Sequence, residues 1–421
     1  MIQRPLVWLT GTALMAALLV GCNGSSNSNA GATTTGGAAP TTAGSTPTET
    51  GGNRPASPGP GAKIDGDTVK IGLVASLTGD LLPWGNDSAA GCRLAVKEIN
   101  AKGGINGKKV ELFVEDSASD PKQGKSATDI LISKGVVGIV GEVASGITAQ
   151  IANSAFDAGL PVVAVGATRT DITKKGSNIF RVCYTDDFQG PVMAKFAYEE
   201  LNLRSIAVMT DTEQPYSTGL SETFKKYFEK LGGKIITEEF YKTKDAQFTS
   251  QLTNIKSKNP DGMFLSGYFT EVGLIARQAK EAGLKVKLLG GDGWDSSDIL
   301  TGGGEGIVGG FFCNHYNSQE SRPEVKNFLT KWKAEYAGKE PGTTMGALGY
   351  DAMTLMMDAI SRAKTPDSKG VIDALEETEN FASVSGVITL KGQNGDPPKR
   401  ALVVEIRPEG QVYRKAYEFF K

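Results

Sequence analysis

The sequence predicts an α/β protein made of two lobes, each built on a doubly wound, mostly parallel sheet. From residue 69 onward, short apolar runs alternate with segments whose apolar residues have helical spacing. The apolar runs are nearly continuous, which is typical of parallel strands that helices cover on both faces. The alternation stops near residue 165 and starts again at residue 205. Two separate series of β–α units therefore predict two lobes.

Turn-forming residues set the limits of the predicted elements. The apolar runs end at Gly, Asp or Pro, and the helical segments carry apolar residues three and four positions apart. The first series predicts strands at 69–77, 110–116, 136–140 and 161–165, and helices at 88–101, 121–133 and 145–158. The second predicts strands at 205–211, 234–241, 262–268 and 286–290, and helices at 218–231, 248–258 and 271–282. The remainder predicts strands at 309–316 and 384–390, helices at 323–336, 345–362 and 369–378, and a hairpin of 401–407 and 412–419.

The first 22 residues predict an export signal. Arg4 is their only charged residue, and the apolar run that follows is about 15 residues long, which is too short to span a membrane comfortably. The run ends in Leu-Val-Gly-Cys at Cys22, which resembles the lipobox of bacterial lipoproteins. We therefore expect Cys22 to be lipidated. The alternative is an ordinary signal peptide with a chance cysteine.

Residues 23–62 predict a disordered tether. They contain only two charged residues and no large apolar side chain. Such a segment buries too little apolar surface to offset the entropy lost on folding. The sequence after the signal has no run of 18 apolar residues. We therefore expect an exported protein that is anchored to a bacterial membrane by lipid alone and faces the periplasm or the cell exterior.

The composition argues against several classes of function. Lys and Arg number 45 and Asp and Glu number 47, a formal net charge of −2, which argues against a nucleic-acid-binding protein. His315 is the single histidine, so sites that need two imidazoles are excluded. It falls in a predicted strand, where we expect a structural role, and there is no Gly-x-Ser-x-Gly motif. We therefore expect no catalytic residues, no metal, no cofactor and no enzymatic activity.

The loops after the strands are the predicted binding site, because ligands of open parallel sheets bind beyond the carboxyl ends of the strands. Residues 141–146 have the glycine spacing of a P-loop but lack its lysine, so we reject nucleotide binding there. Ser145 begins a helix whose free N–H groups suit a carboxylate, although it could simply cap that helix. Asp292 lies between two glycines after an apolar strand. It could pair with an ammonium group or remain solvated.

Several short motifs together resemble the type I periplasmic binding proteins, and within them the leucine/isoleucine/valine-binding branch. The motifs are IGLVASLTG at 71–79, WG at 84–85, AVKEINAKGGING at 95–107, DPK at 120–122, GAT at 166–168, FQGP at 188–191 and GYDA at 349–352. The resemblance covers residues 68–420. It implies three crossover strands near 181–187, 311–316 and 385–390, with one lobe formed by 68–184 and 317–385 and the other by 187–312 and 390–421.

The resemblance also implies the ligand contacts. Ser145 would bind the carboxylate of an amino acid, and Asp292 its ammonium group. Asp292 stands where the branched-chain transporters usually have a longer glutamate, which leaves the ligand's size open. The other implied contacts are Trp84 over the ligand, the loop of Gly166, Ala167 and Thr168, Asp186 near a crossover, and the second-lobe tyrosines Tyr216 and Tyr268.

The implied function is an extracytoplasmic receptor of an ABC importer that binds a neutral, aliphatic or branched-chain amino acid between two closing lobes. Its partners would be the amino acid and the permease subunits, without nucleic acid, and we expect a monomer. The alternatives are a receptor for an amide, a urea-like solute or an aromatic acid, a sensor that feeds a signalling system, and an enzyme on the same scaffold. An acid at 292 and an anion site at 145 favour a zwitterion over the other solutes.

The cysteines suggest one disulfide. Once Cys22 is lipidated, Cys92, Cys183 and Cys313 remain. Cys183 and Cys313 fall on two implied crossover strands that lie side by side in the family. We therefore expect a disulfide between them and a buried thiol at Cys92. The alternative is three buried thiols.

Overall fold

The computed structural model describes residues 54–420, and the signal segment, Cys22 and the tether up to residue 53 lie outside the described residues. The strands are β1 (Thr68–Ala75), β2 (Lys109–Asp116), β3 (Ile139–Val140), β4 (Val162–Ala164), β5 (Ile179–Arg181), β6 (Ser205–Asp211), β7 (Lys234–Tyr241), β8 (Gly262–Ser266), β9 (Lys287–Gly290), β10 (Phe311–Asn314), β11 (Phe381–Ser383), β12 (Gly386–Ile388), β13 (Ala401–Arg407) and β14 (Gly410–Tyr417). The helices are α1 (Leu82–Ala101), α2 (Pro121–Ser133), α3 (Ser145–Ala158), α4 (Asp186–Lys195), α5 (Pro215–Lys230), α6 (Thr249–Lys258), α7 (Phe269–Glu281), α8 (Asp298–Gly303), α9 (Pro323–Glu335), α10 (Met345–Arg362) and α11 (Ser368–Glu376). Within this range, none of the helices has the length and apolar character needed to cross a membrane.

Five parallel strands form the first sheet, in the order β2-β1-β3-β4-β5. Residues 71–75 of β1 are all buried, as expected for a strand with helices on both faces. Helices α1, α2, α3 and α10 pack on this sheet, and α9 and α11 pack on α1 and α10. We call the sheet with these helices the first lobe.

Glycines allow α1 and α10 to pack closely. A Cβ atom at Gly91 would lie 2.1 Å from the backbone oxygen of Gly346, and one at Gly349 would lie 2.3 Å from that of Ser88. Both distances are far below van der Waals contact. The start of the folded chain and a helix more than 200 residues later thereby form one lobe.

Seven strands form the second sheet, in the order β14-β13-β10-β9-β8-β6-β7. Strands β6 to β10 are parallel, and the hairpin of β13 and β14 joins β10 in the antiparallel direction. Helices α4 to α8 pack on this sheet or on one another, and we call this assembly the second lobe. The predicted α/β class with two sheet-based lobes is confirmed.

The chain passes between the two sheets within residues 182–204, 315–322 and 389–400. Two of these passages differ from the expected strands. Residues 186–195 form the helix α4, which begins where the end of the crossover strand near 181–187 was expected, and β12 pairs with β11 in a two-stranded antiparallel sheet. The Asp351 carboxylate stabilises the turn between β11 and β12, because it accepts the N–H groups of Val384 and Ser385, both at 2.8 Å.

Two helices begin earlier than predicted, which changes the setting of two site residues. α1 begins at Leu82 instead of residue 88, and α5 begins at Pro215 instead of residue 218. Proline suits a first helical turn because its missing N–H group would have no partner there, and α1 has Pro83 in that turn. Trp84 and Tyr216 therefore lie in first turns of helices and not in loops.

The predicted tether is wrong for residues 54–62, which pack on the first lobe. The Arg54 guanidinium donates to the backbone oxygen of Ile179 at 2.6 Å and pairs with Glu376 at 3.3 Å. The N–H group of Ala62 donates to the Ser368 hydroxyl at 2.9 Å. Polar contacts thus fix a segment that has no large apolar side chain to bury.

The expected disulfide is wrong, because Cys183 and Cys313 are free and buried, as is Cys92. The Cys183 thiol lies 3.4 Å from the backbone oxygen of Ala167, to which it donates. The side chain that meets Cys313 is Tyr184, the neighbour of Cys183. The Cys183 thiol is therefore directed to the Ala167 carbonyl and does not bond to Cys313. Burial raises the pKa of the Cys183 thiol to about 12, which leaves it unreactive.

Candidate ligand-binding site

Side chains from both lobes meet around a small cavity beyond the carboxyl ends of the two sheets. The cavity is tight, with about 10 Å³ accessible to the centre of a water molecule, which is room for about one water. Six predicted site residues line it: Trp84, Ser145 and Gly166 from the first lobe, and Tyr216, Tyr268 and Asp292 from the second. Val143, Met345 and Gly293 complete the lining. All nine residues are buried, so a solute held here would be shielded from water.

The N-terminus of α3 forms one side of the cavity. The helix begins at Ser145, and the N–H groups of a first turn have no partner within the helix. The Glu142 carboxylate accepts the N–H groups of Val143 at 2.8 Å and Ala144 at 2.7 Å. The donors left for a ligand therefore begin at Ser145. The positive end of the helix dipole favours an anionic group at this position.

Glu142 holds the loop before α3 from behind the cavity. Its carboxylate also accepts hydrogen bonds from Ser76 at 2.5 Å and Ser117 at 3.3 Å. Burial raises the pKa of Glu142, and the hydrogen bonds to the carboxylate oppose that rise. These contacts fix the backbone from which Ser145 projects, and sequence reasoning did not identify them.

Asp292 supplies a carboxylate from the second lobe. It follows β9 in a short 3₁₀ turn. Its Oδ1 accepts hydrogen bonds from Gln189 Nε2 and the Tyr216 hydroxyl, both at 2.9 Å. Its Oδ2 lies 2.9 Å from Nε2 of His315, which donates because a carboxylate can only accept. Three donors thus fix the orientation of the Asp292 side chain before any ligand arrives.

His315 supports Asp292 from outside the cavity. Its ring stacks on Tyr184, with ring centroids 4.1 Å apart and an interplanar angle of 19°. Its Nδ1 atom is buried and has no hydrogen-bond partner among residues 54–420. The structural role of His315 is thus to orient the Asp292 carboxylate.

Asp186 is a second buried carboxylate behind Asp292. Its Oδ1 accepts a hydrogen bond from Gln189 Nε2 at 2.7 Å, and its Oδ2 has no partner in the described part of the chain. Burial, and next the negative charge of Asp292, raise the pKa of Asp186 to about 7. A cation placed between the two carboxylates would favour the ionised form of Asp186, and so would oppose the rise in its pKa that burial and the charge of Asp292 cause.

Aromatic rings and aliphatic side chains form the rest of the cavity wall. Tyr268 meets Trp84 edge to face at 5.1 Å and stacks on Tyr216 at 5.3 Å between ring centroids. The Tyr268 hydroxyl is buried and has no partner within the range that the structure describes. On the opposite lobe, a Cβ atom at Gly166 would lie 3.0 Å from both Met345 Sδ and Val143 Cγ1. The absence of a side chain at 166 therefore keeps this apolar corner open.

Ala167 and Thr168 lie beside the cavity and not in its lining. The Ala167 carbonyl accepts hydrogen bonds from the buried Arg181 and from Cys183, so it points away from the cavity. Thr168 Oγ1 lies 3.4 Å from Gln189 Nε2, and its backbone oxygen accepts the Asp186 N–H group at 2.9 Å. The two residues therefore support the site instead of lining it.

Sequence reasoning missed Gln189, although a signal was present. Gln189 is part of the FQGP motif and follows Asp186 by three residues. On a helix this spacing places two side chains on the same face. The interaction was not predicted because α4 was not predicted. A two-lobed α/β fold with a buried cavity between its lobes, lined by hydrogen-bond donors on one side and a carboxylate on the other, defines a solute-binding protein.

Sequence comparisons agree with this class. Residues 68–411 match the periplasmic binding protein family. The leucine-, isoleucine-, valine-, threonine-, and alanine-binding protein of Pseudomonas aeruginosa is 32% identical over 310 residues, 73% of this chain and 82% of that protein. The Leu/Ile/Val-binding protein homolog 3 of Brucella melitensis is 32% identical over 333 residues, 78% of this chain and 88% of that protein. The chain belongs to the periplasmic binding protein family.

Solved structures show the same architecture. The leucine binding protein LivK of Thermotoga maritima is 34% identical, with a TM-score of 0.79 over 83% of this chain and 99% of that chain. LivJ of Streptococcus pneumoniae, solved with isoleucine, is 29% identical, with a TM-score of 0.77 over 84% of this chain and 99% of that chain. A solute-binding protein of R. palustris in complex with benzoate shares the fold at 21% identity, with a TM-score of 0.73 over 84% of this chain and 97% of that chain.

Proposed function

We propose that this protein is the solute-binding receptor of an ABC importer and that it binds a neutral, aliphatic amino acid as the zwitterion. One observation carries the proposal. The same small cavity has the N-terminus of α3 at Ser145 and the carboxylate of Asp292 in its lining. A free amino acid carries a carboxylate and an ammonium group on one carbon atom. It can therefore satisfy both sides of the cavity at once.

The ammonium group would be received by Asp292, with Asp186 behind it. Both carboxylates are buried, and a single amide, that of Gln189, donates to both. Two carboxylates this close repel each other in a low-dielectric setting. A ligand that is purely anionic, such as an aromatic acid, would add a third negative charge without relieving that repulsion. The arrangement therefore favours an ammonium-bearing ligand over the aromatic acids and amides.

The side chain of the ligand would lie against Val143, Met345 and Trp84. None of these side chains offers a charge, and the cavity is small. The setting thus suits a short aliphatic side chain. The names of the relatives above include leucine, isoleucine, valine, threonine and alanine, which supports the same ligand class.

Binding would favour the arrangement in which the two lobes are together. Ser145 belongs to the first lobe and Asp292 to the second, so the ligand bridges them. A ligand shifts a conformational equilibrium only by the difference between its affinities for the two states. Contacts made with both lobes supply that difference, and an importer could distinguish the loaded receptor by its closed form.

We also propose that the protein is exported and that lipid on Cys22 holds it at the membrane.

A thermal-shift screen of the full-length protein tests the proposal. The panel contains the twenty amino acids, with acetamide, urea, benzoate and 4-hydroxybenzoate as controls. A ligand that binds the folded state raises the melting temperature by mass action. We expect the largest shifts from leucine, isoleucine, valine, threonine or alanine. A shift from benzoate or urea, with none from these amino acids, would contradict the proposal.

A further inference from the structure

Asp295 is a hydrogen-bond acceptor that joins the two lobes outside the ligand cavity. The residue is 1% exposed and does not line the cavity. Its carboxylate Oδ2 accepts the N–H group of Thr344 at 2.7 Å, and the Thr344 hydroxyl lies 2.7 Å from the same oxygen. Its backbone oxygen accepts the indole N–H group of Trp84 at 2.6 Å.

The partners of Asp295 divide between the lobes. Thr344 precedes α10 and Trp84 lies in α1, two helices that pack together in the first lobe. The other carboxylate oxygen, Oδ1, accepts hydrogen bonds from Asn314 at 3.2 Å and Gln411 at 2.8 Å, which belong to β10 and β14 of the second sheet. The contacts within the second lobe hold Asp295 in place. The contacts to the first lobe exist only while the lobes are together.

The first-lobe side of this connection is also held in place. The carboxylate of Asp87, which lies in α1, accepts the N–H group of Thr343 at 2.6 Å and its hydroxyl at 2.9 Å. Asp87 and Asp295 therefore bind adjacent residues at the N-terminus of α10, where the helix dipole favours negative charge. Burial, with a smaller effect from the charge of Asp295, raises the pKa of Asp87 to about 6.

Trp84 links this contact to the ligand site. Its ring lines the cavity and meets Tyr268, while its N–H group reaches the backbone oxygen of Asp295. A ligand that packs against the ring therefore also orients a donor of the interlobe contact. The same side chain serves the cavity and the contact that closes it.

We propose that Asp295 is an interlobe latch, meaning that its bonds to Thr344 and Trp84 stabilise the closed lobes and slow the release of the ligand. The proposal rests on the proposed function, because it assumes that a solute is released when the lobes separate. Asp295 is a positioning residue in this account and makes no contact with the ligand. Opening the lobes exchanges these hydrogen bonds for hydrogen bonds to water, so the net gain of the bonds to the charged carboxylate favours the closed lobes.

Stopped-flow binding to full-length protein tests the latch, with whichever of L-leucine, L-isoleucine, L-valine, L-threonine and L-alanine binds best as the probe. We expect Asp295→Asn to raise the dissociation rate about 10- to 100-fold and to leave the association rate within about threefold. Thr344→Val keeps the backbone donor and should raise the dissociation rate less. Asp298→Asn is the matched control, because Asp298 is an exposed acid three residues away. Unchanged dissociation in Asp295→Asn would overturn the latch.

Small-angle scattering of the ligand-free proteins separates the two proposals. The latch predicts that the ligand-free wild type and Asp298→Asn are closed for part of the time. Asp295→Asn should therefore have a larger radius of gyration than both, with unfolding that remains cooperative. This result would support the latch even if none of the five amino acids bound. Equal radii of gyration would overturn it even if the wild type bound all of them. Failure of the wild type to bind any amino acid would instead contradict the proposed function.

Discussion

Asp186 and Asp292 are two buried carboxylates of the second lobe that accept hydrogen bonds from the same amide nitrogen. Gln189 Nε2 lies 2.7 Å from Asp186 Oδ1 and 2.9 Å from Asp292 Oδ1. The amide keeps the two carboxylates at a fixed separation without supplying a positive charge. The two negative charges are therefore not balanced until a cation binds beside them, and the ammonium group of an amino acid is a cation of suitable size.

Removal of the charge at Asp292 should weaken binding strongly. Asp292→Asn leaves the ligand's ammonium group less well paired in a cavity shielded from water. We expect a loss of about 2–4 kcal/mol, or roughly 30- to 1,000-fold in Kd. Isothermal titration with the amino acid that gives the largest thermal shift measures this change. Asp298→Asn should bind as the wild type does, and wild-type affinity in Asp292→Asn would refute the zwitterion interpretation.

Amino-acid affinity should rise with pH through the pKa of Asp186. Burial and the charge of Asp292 raise this pKa to about 7, and Gln189, Thr168 and Arg181 act in the opposite direction. An ammonium group favours the ionised carboxylate, so binding releases a proton below the pKa. We expect affinity to increase by up to about tenfold per pH unit from pH 5 to 7 and to level off above that range. Titration at several pH values checks this expectation.

The variant Asp186→Asn should remove most of that pH dependence. It should also change the stability of the ligand-free protein in a direction that can be stated. A carboxyl group whose pKa is higher in the folded state binds more protons when folded, so its contribution to stability falls as pH rises from about 4 to 7. Asp186→Asn should abolish this fall in thermal unfolding. A wild-type affinity that does not change between pH 5 and 8 would contradict this prediction.

Ser145 should contribute less than Asp292. Ser145→Ala removes a hydroxyl, but the N–H groups of the first turn of α3 remain available to the carboxylate of the ligand. We expect a loss of about 1–2 kcal/mol, or roughly 5- to 30-fold in Kd. Ser126→Ala, at an exposed position of α2, is the control. A loss as large as that in Asp292→Asn would mean that the hydroxyl, and not the helix end, binds the carboxylate.

Gly166 should limit the size of the ligand's side chain. In Gly166→Ala the new Cβ atom would lie 3.0 Å from Met345 Sδ and Val143 Cγ1, which pushes these side chains toward the cavity. We expect the affinity for L-leucine to fall about tenfold more than the affinity for L-alanine. Gly302→Ala is a suitable control, because nothing lies within 3.7 Å of the added Cβ atom there. Equal losses for the two amino acids would contradict this assignment.

The membrane anchor should depend on Cys22 alone. Cys22→Ala should release the exported protein from the membrane pellet and leave ligand affinity unchanged, because the residues that line the cavity all lie between Trp84 and Met345. Fractionation followed by titration of the released protein makes both measurements. Retention of the exported variant in the membrane pellet would show that the lipobox prediction is wrong.

The fold could be predicted from the sequence because its signals are local. Apolar runs and helical spacing mark the strands and helices, and the rule that ligands bind at strand ends selected Ser145, Gly166, Tyr268 and Asp292, which do line the cavity. Their roles toward a ligand stay predictions. The start of α1 was misjudged because the turn-like residues before Pro83 concealed its first turn.

The rest could not be predicted because it depends on side-chain direction and on contacts between distant segments. The residues next to Cys183 in the sequence do not show that its thiol points toward Ala167 and not toward Cys313. Likewise, Asp295 resembles any loop aspartate until Thr344 is brought beside it. Polar groups of this kind acquire their roles only when the two lobes come together.

The central claim is that the cavity requires both charges of an amino acid, and calorimetric titration of full-length protein with three matched ligands tests it most directly. The ligands are L-leucine, 4-methylpentanoate, which lacks the ammonium group, and 3-methylbutylamine, which lacks the carboxylate. The account predicts that L-leucine binds and that each analogue binds at least about 100-fold more weakly. Binding of 4-methylpentanoate as tight as that of L-leucine would contradict it.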